Sequence, residues 1–305
     1  SDKALRINSE SKNTQYHPEL KLSSNIFASE KLEEIIPQSE IIFVATPSKI
    51  INDVLDRLTD FSIDNKMIIS CTKGINENPF MTMSEAIEKH FNNSSIKVGV
   101  LSGPNLAKEI ADEKVAGTVI ASKHADLCHQ AREILSSSTF KIYTSDDIKG
   151  IELAGALKNI YAIISGYCHS LDVGENAIGL ILTRSMAEMS NFAVNKGANP
   201  ITFLGLAGMG DLVATCFSKL SRNYQFGWAI GEGLDIEAAK YKVGQVAEGL
   251  NTIRIIHNEI SSSKIKMPLV SGMHEILFNS GSKELLLEQI INSDIYVDVD
   301  FDVES

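Results

Sequence analysis

Lys158 stands in the run Glu152-Leu-Ala-Gly-Ala-Leu-Lys-Asn-Ile-Tyr-Ala162, and no carboxylate lies one helical turn from it. On a helix its neighbours would be Ala154, Gly155, Tyr161 and Ala162. The side chain leans toward the two small residues on its N-terminal side, which leaves an ammonium beside open space among apolar groups. A buried, unpaired ammonium is costly. It must therefore find a distant acid, give up its proton, or meet an anionic ligand. The plainer alternative is a lysine that snorkels from an amphipathic helix to water.

Further groups able to hold an anion fall where strand signals end. Ala45-Thr-Pro-Ser48 reads as a tight turn after a buried strand, and Thr72-Lys-Gly74 puts a cation and a glycine at a second strand end. Leu101-Ser-Gly-Pro-Asn-Leu-Ala-Lys-Glu109 passes from strand to helix through small residues, with Pro104 suited to a first helical turn. In an open α/β sheet, ligands bind outside such carboxyl ends. Downstream, Arg222 and Asn223 in Ser221-Arg-Asn-Tyr-Gln-Phe-Gly227 could grip a phosphate, since a guanidinium offers a planar fork to paired oxygens. Asp211 reads equally well as a loop or cap residue, Arg222 as a solvated one, and Glu248 as a first-turn acid or a ligand to a sugar hydroxyl.

Several sites have no sequence support. No GxGxxG precedes Ile41, no GxxxxGK[ST] loop occurs, and Gly205-Leu-Ala-Gly-Met-Gly210 has the wrong spacing and reads as a loop. The seven histidines form no HxxxH or HExxH pattern, so no metal is expected. Four scattered cysteines, Cys71, Cys128, Cys168 and Cys216, read as reduced thiols of a cytoplasmic protein.

The elements that must position these groups divide the 305 residues in two. Apolar β-rich runs at Ile41–Thr46, Met67–Thr72, Lys97–Leu101, Gly117–Ala121 and Phe140–Tyr143 alternate with helical stretches at 50–58, 81–91 and 106–112. That pattern predicts a parallel sheet covered on both faces. After about Asp146 helical periodicity takes over, near 147–169, 176–196, 220–232, 246–260, 267–279 and 283–292, which sets a boundary near residue 148. Arg184 and Glu188 stand at an i,i+4 spacing that suits one helix face, as a modest stabilising pair. The acidic, alternating end from Tyr296 to Ser305 reads as an edge strand or a loose tail. The net charge of −11 disfavours nucleic-acid or anionic-membrane surfaces, and no apolar run approaches the roughly 20 residues of a membrane span. No signal-peptide pattern opens the sequence.

Six motifs in order, Thr72-Lys-Gly74, Ser102-Gly-Pro104 with Ala107-Lys-Glu109, Leu153 to Asn159, Leu206-Ala-Gly-Met-Gly-Asp-Leu212, Ser221-Arg-Asn223 with Phe226-Gly227, and Gly244-Gln-Val-Ala-Glu-Gly249, resemble bacterial NAD(P)-dependent sn-glycerol-3-phosphate dehydrogenases over nearly the whole chain. The resemblance implies a Rossmann-type dinucleotide-binding domain over residues 1–148. It implies an all-α substrate and catalytic domain of the 6-phosphogluconate-dehydrogenase-like type over 149–305. Ser1-Asp2 aligns with the end of the family's second Rossmann strand, so the sheet is expected to be incomplete at its N-terminus and the glycine fingerprint is absent from this sequence.

Carried over by position, the resemblance implies Lys158 as the catalytic lysine, with Asp211 orienting it. It implies substrate contacts at Lys73, Gly103, Asn105, Asp211, Ser221, Arg222 and Asn223, with Asn105 replacing the family's Ser or Thr. It implies cofactor contacts at Tyr16, Lys73, Ala107, Arg222, Val246 and Glu248, to NAD or NADP. The expected reaction is reversible NAD(P)H-dependent reduction of dihydroxyacetone phosphate to sn-glycerol 3-phosphate for phospholipid synthesis, in the cytoplasm, with a homodimer as the candidate assembly. The alternatives are a related two-domain dehydrogenase with another substrate, or a chain that binds cofactor weakly or not at all.

Overall fold

The computed structural model describes residues 2–92, 95–244, 248–282 and 284–291. It divides into two compact units, Ser1–Thr72 with Met83–Ile148, and Lys73–Thr82 with Lys149–Ser305. The second unit thus includes a stretch, Lys73–Thr82, that lies amid the strand signals of the sequence.

The first unit opens with helix α1 (Asp2–Glu10) and a small antiparallel hairpin of β1 (Lys12–Asn13) and β2 (His17–Lys21). A five-stranded sheet follows in the order β3 (Ile41–Val44), β4 (Met67–Ser70), β5 (Lys97–Ser102), β6 (Ala116–Ala121) and β7 (Phe140–Ser145). All neighbours run parallel except β5 and β6, which pair antiparallel with Leu101 opposite Ile120. Alternation along β4 explains the two layers of core. Ile68 packs on one face with Ile51, Leu55 and Leu58 of α2 (Ile51–Leu58) and Met83 and Ile87 of α3 (Met83–His90). Met67 and Ile69 face the other side and pack with Leu127 and Ala131 of helix Ala125–Leu135. Between β5 and β6 lies the short α4 (Ala107–Ala111), whose N-cap is Leu106, so Pro104 precedes the helix instead of opening it. The helix Ala125–Leu135 is α5.

The second unit is built around α6 (Ile148–Ser170), buried without interruption from Ile151 to Cys168. A helix apolar on every side must be central, and α6 is. Around it lie α7 (Glu175–Asn195), α8 (Asp211–Cys216), α9 (Arg222–Gly231), α10 (Ile236–Val243), α11 (Glu248–Ser261), α12 (Pro268–Phe278) and α13 (Leu285–Ile291). Leu157, Ile160 and Ile164 share one core with Phe192, Ile253, Ile256 and Met273. Gly227 lets α9 meet α6 backbone to backbone: a Cβ there would lie 1.9 Å from the Ile163 carbonyl oxygen.

The helical unit changes the reading of one segment. Leu206–Gly210 is a π-helical turn running directly into α8, not a loop, and the Gly210 amide donates to the Gly205 carbonyl at 3.2 Å. Glu188 is buried: it accepts from Tyr161 Oη at 3.0 Å and from the Leu269 amide at 2.7 Å, at the start of α12. Burial pushes its pKa up to about 8, against those hydrogen bonds. The segment from Tyr296 to Ser305 lies outside the described residues.

Candidate active site

Because α6 is central, Lys158 is carried into the core, and its side chain keeps only 8% exposure. The acid missing from its own helix comes from α8. Lys158 Nζ donates to Asp211 Oδ1 at 2.8 Å and to Thr215 Oγ1 at 2.7 Å. Thr215 Oγ1 in turn donates to Asp211 Oδ1 at 3.1 Å. These hydrogen bonds engage two of the three ammonium protons. The π-helical turn sets this register, since Asp211 follows it as the first residue of α8 and Thr215 lies one turn on.

Lys73 reaches the other oxygen of the same carboxylate, Nζ to Oδ2 at 2.6 Å. Burial pushes the Lys158 ammonium down to about pKa 8, the Lys73 charge adds to that, and Asp211 opposes both. For Asp211, burial acts to raise its pKa. Lys158 and Lys73 outweigh that effect and hold the carboxyl below the usual range.

Ser221, Arg222 and Asn223 stand together at the start of α9. Ser221 caps the helix, its Oγ accepting from the Tyr224 amide at 3.3 Å, and Arg222 is exposed. Asn223 is buried, and its amide is engaged within the protein: Nδ2 donates to Asn159 Oδ1 at 2.9 Å, while Oδ1 accepts from the Gly249 amide at 3.0 Å. Asn223 therefore ties the residue after Lys158 to the first turn of α11, where Glu248 is the opening residue. Val246 lies outside the described residues.

The other expected residues belong to the sheet unit. Gly103 follows β5 at φ +149°, with a would-be Cβ 3.1 Å from Thr118, so a side chain there is both strained and crowded. Asn105 Nδ2 donates to Thr118 Oγ1 at 2.9 Å. Ala107 opens α4, and the half-exposed Tyr16 lies under the Lys3 ammonium, 4.6 Å from its ring centre. The sequence reading missed Thr215 and Asn159. Thr215 had a signal, its i,i+4 spacing from Asp211, and Asn159 directly follows Lys158.

The parallel run of β3, β4 and β5 puts their carboxyl ends on one edge. There Thr46 Oγ1 and Ser102 Oγ are buried without a hydrogen-bond partner. Buried hydroxyls rarely stay unpaired. Their position fits a polar ligand such as a dinucleotide at the usual edge of an open α/β sheet. Among the described residues, His257, His274 and Glu275 come near enough to share an ion. However, the two imidazoles stack 3.7 Å apart at 4°, and one ion cannot lie in both ring planes.

Comparison with known proteins gives the family. The model of the NAD-dependent glycerol-3-phosphate dehydrogenase N-terminus matches residues 1–128, and that of the C-terminus matches 147–288. The chain belongs to the NAD-dependent glycerol-3-phosphate dehydrogenase family. It is 43% identical to the glycerol-3-phosphate dehydrogenase (NAD(P)+) of Alcanivorax borkumensis and 44% identical to that of Pseudomonas syringae pv. tomato, in each case over 98% of this chain and 86% of the relative. The crystal structure of glycerol-3-phosphate dehydrogenase from Coxiella burnetii superposes with a TM-score of 0.89 at 30% identity, covering 95% of this chain and 89% of that one. Family membership accounts for the Rossmann-like sheet followed by a helical unit.

Proposed function

We propose that the chain catalyses the reversible reduction of dihydroxyacetone phosphate to sn-glycerol 3-phosphate, with NADH or NADPH as reductant. The observation that carries this reading is the buried Lys158 ammonium, held by Asp211 and Thr215 and poised near neutral pH. Reduced nicotinamide supplies the hydride when bound. As the C2 oxygen gains charge, Lys158 Nζ donates its remaining uncommitted proton to it; in the reverse direction the neutral amine takes the proton from the C2 hydroxyl. Asp211 and Thr215 fix the direction of that N–H. Arg222 and Asn223, with Ser221 beside them, hold the substrate phosphate, so that binding at that end positions the reacting carbon.

The resemblance also gives Gly103 and Asn105, after β5, to substrate binding. Tyr16, Lys73, Ala107, Arg222, Val246 and Glu248 would hold the cofactor. In this reading the sheet unit binds the dinucleotide and the helical unit carries the chemistry. No helix among the described residues is long and apolar enough to cross a membrane, and we place the enzyme in the cytoplasm, supplying phospholipid synthesis. A homodimer belongs to the proposal too. Ile201, Leu204, Val213 and Phe217 are exposed apolar side chains that a second copy could cover, and sedimentation at the mass of one chain would count against it.

The decisive assay follows NADH and NADPH oxidation with dihydroxyacetone phosphate and with unphosphorylated dihydroxyacetone. The phosphorylated ketone is expected to be strongly preferred. Lys158→Met is expected to lower turnover by about 10²–10⁴-fold, the range of acid–base help, with substrate binding less affected. Equal rates on the two ketones, or near-normal turnover in Lys158→Met, would overturn the reading.

A further inference from the structure

Lys73 is brought to Asp211 by a hairpin that packs in the helical unit. Asn76 and Met81 exchange backbone hydrogen bonds at 2.9 and 3.1 Å, closing a turn of Glu77, Asn78, Pro79 and Phe80. At the base of the hairpin Ile75 is buried in the helical core. At its tip Phe80 meets Phe192 of α7 edge-on, with ring centres 6.0 Å apart at 66°. Lys196 lies over the Phe80 ring at 4.8 Å and pairs with Glu259 of α11. Glu77 accepts from Arg254 Nη2 of α11 at 3.0 Å.

We propose that Phe80 is a positioning residue: by locking the hairpin tip onto α7 it fixes the Lys73 ammonium on Asp211. The proposal rests on the reading that Lys158 protonates the substrate. A lysine has four rotatable side-chain bonds, and holding its head in one place costs rotamer freedom. Lys73 remains 22% exposed, so water competes for its ammonium, and a rigid base for the side chain tilts that competition toward Asp211. Of the two tip anchors, the Arg254–Glu77 pair is exposed and contributes little. The ring pair with a cation over it is half-buried and more directional, which singles out Phe80.

The test is the pH profile of reduction in Phe80→Ala, Lys73→Met and the double variant. The groups facing Lys158 are Lys73 from the hairpin, and Asp211, Thr215 and the Cys216 thiol from α8; burial pushes that thiol up to about 12. If Phe80 places Lys73, Phe80→Ala lowers turnover by about tenfold to 10²-fold, the scale of an ångström of misplacement. It also moves the alkaline limb upward, as Lys73→Met does, and the double variant is no worse than Lys73→Met. Phe80→Tyr, which keeps the ring, restores both. An unmoved limb, or losses that multiply in the double variant, would overturn the proposal. If Phe80→Ala fails to fold, Phe80→Leu, which keeps apolar bulk but removes the ring, is read by the same criteria, with a smaller shift expected in the same direction. An alkaline limb that survives Lys158→Met would instead sink the reading of Lys158, so the two failures are distinct.

Discussion

Lys73 and Lys158 bind opposite oxygens of one carboxylate, Nζ to Asp211 Oδ2 at 2.6 Å and Nζ to Oδ1 at 2.8 Å. Two ammonium groups so placed repel each other, and Asp211, 2% exposed, is what reconciles them. Asp211→Asn keeps the shape and removes the charge. Breaking a buried pair in this way costs on the order of 3–5 kcal/mol. We expect a loss of stability of that size at pH 7 in urea unfolding, together with a fall in turnover, and a smaller stability loss at pH 10, where Lys158 has given up its proton. A penalty that does not change with pH would contradict the shared-carboxylate account.

The same cluster sets the pH response. Burial and Lys73 lower the native Lys158 pKa from 10.5 to about 8. Between those values the unfolded chain holds a proton that native Lys158 has lost, so stability gains from this group as pH rises through that window. Its contribution is complete above about 10.5 and is lost as pH falls through about 8. Activity moves the other way for reduction, which needs the charged form: kcat/KM should fall by about tenfold per pH unit above the native value, while oxidation gains. A reduction rate that stays level from pH 7 to 10 would rule out Lys158 as the acid.

How much of this was legible depended on how strongly each segment is buried. Met67–Ser70 is buried along its whole length and reads as a strand, and α6 is apolar on every side and reads as a helix. By contrast α5 buries only Leu127, Cys128 and Ala131, and α10 only Ala239, too thin a stripe to set a period. A buried strand looks alike in either direction, so the reversal between β5 and β6 left no mark in the sequence. The glycines of Leu206–Gly210 argue locally for a loop, and tertiary packing makes a π turn of them. Lys158 was legible because its charge contradicted its surroundings. Thr215 left only its i,i+4 spacing from Asp211, which has meaning once Leu206–Gly210 is known to run into a helix.

Glu188 offers a second titration, of opposite sign. Its native pKa is raised from 4.5 to about 8, so in that range the native state holds a proton the unfolded chain has lost. Stability from this group therefore falls as pH rises from 4.5 toward 8. Glu188→Gln keeps an acceptor for the Leu269 amide and cannot ionise. Urea unfolding at pH 5 and pH 8 should show the wild type losing more stability than the variant over that interval. Equal losses would mean that Glu188 stays charged in the fold.

The contact between α6 and α9 links packing to the site. A methyl group at Gly227 would lie 1.9 Å from the Ile163 carbonyl oxygen and 2.7 Å from its carbon, so the obstacle is backbone and the helices must separate. Overpacking of this kind costs on the order of 1–3 kcal/mol. The same separation stretches the Asn223–Asn159 hydrogen bond and moves Arg222 with the start of α9. Gly227→Ala should therefore lower the urea midpoint at constant m and raise KM for dihydroxyacetone phosphate more than it lowers kcat, because Lys158 keeps its partners on α8. A drop in kcat with KM unchanged would show that α9 does not hold the phosphate end.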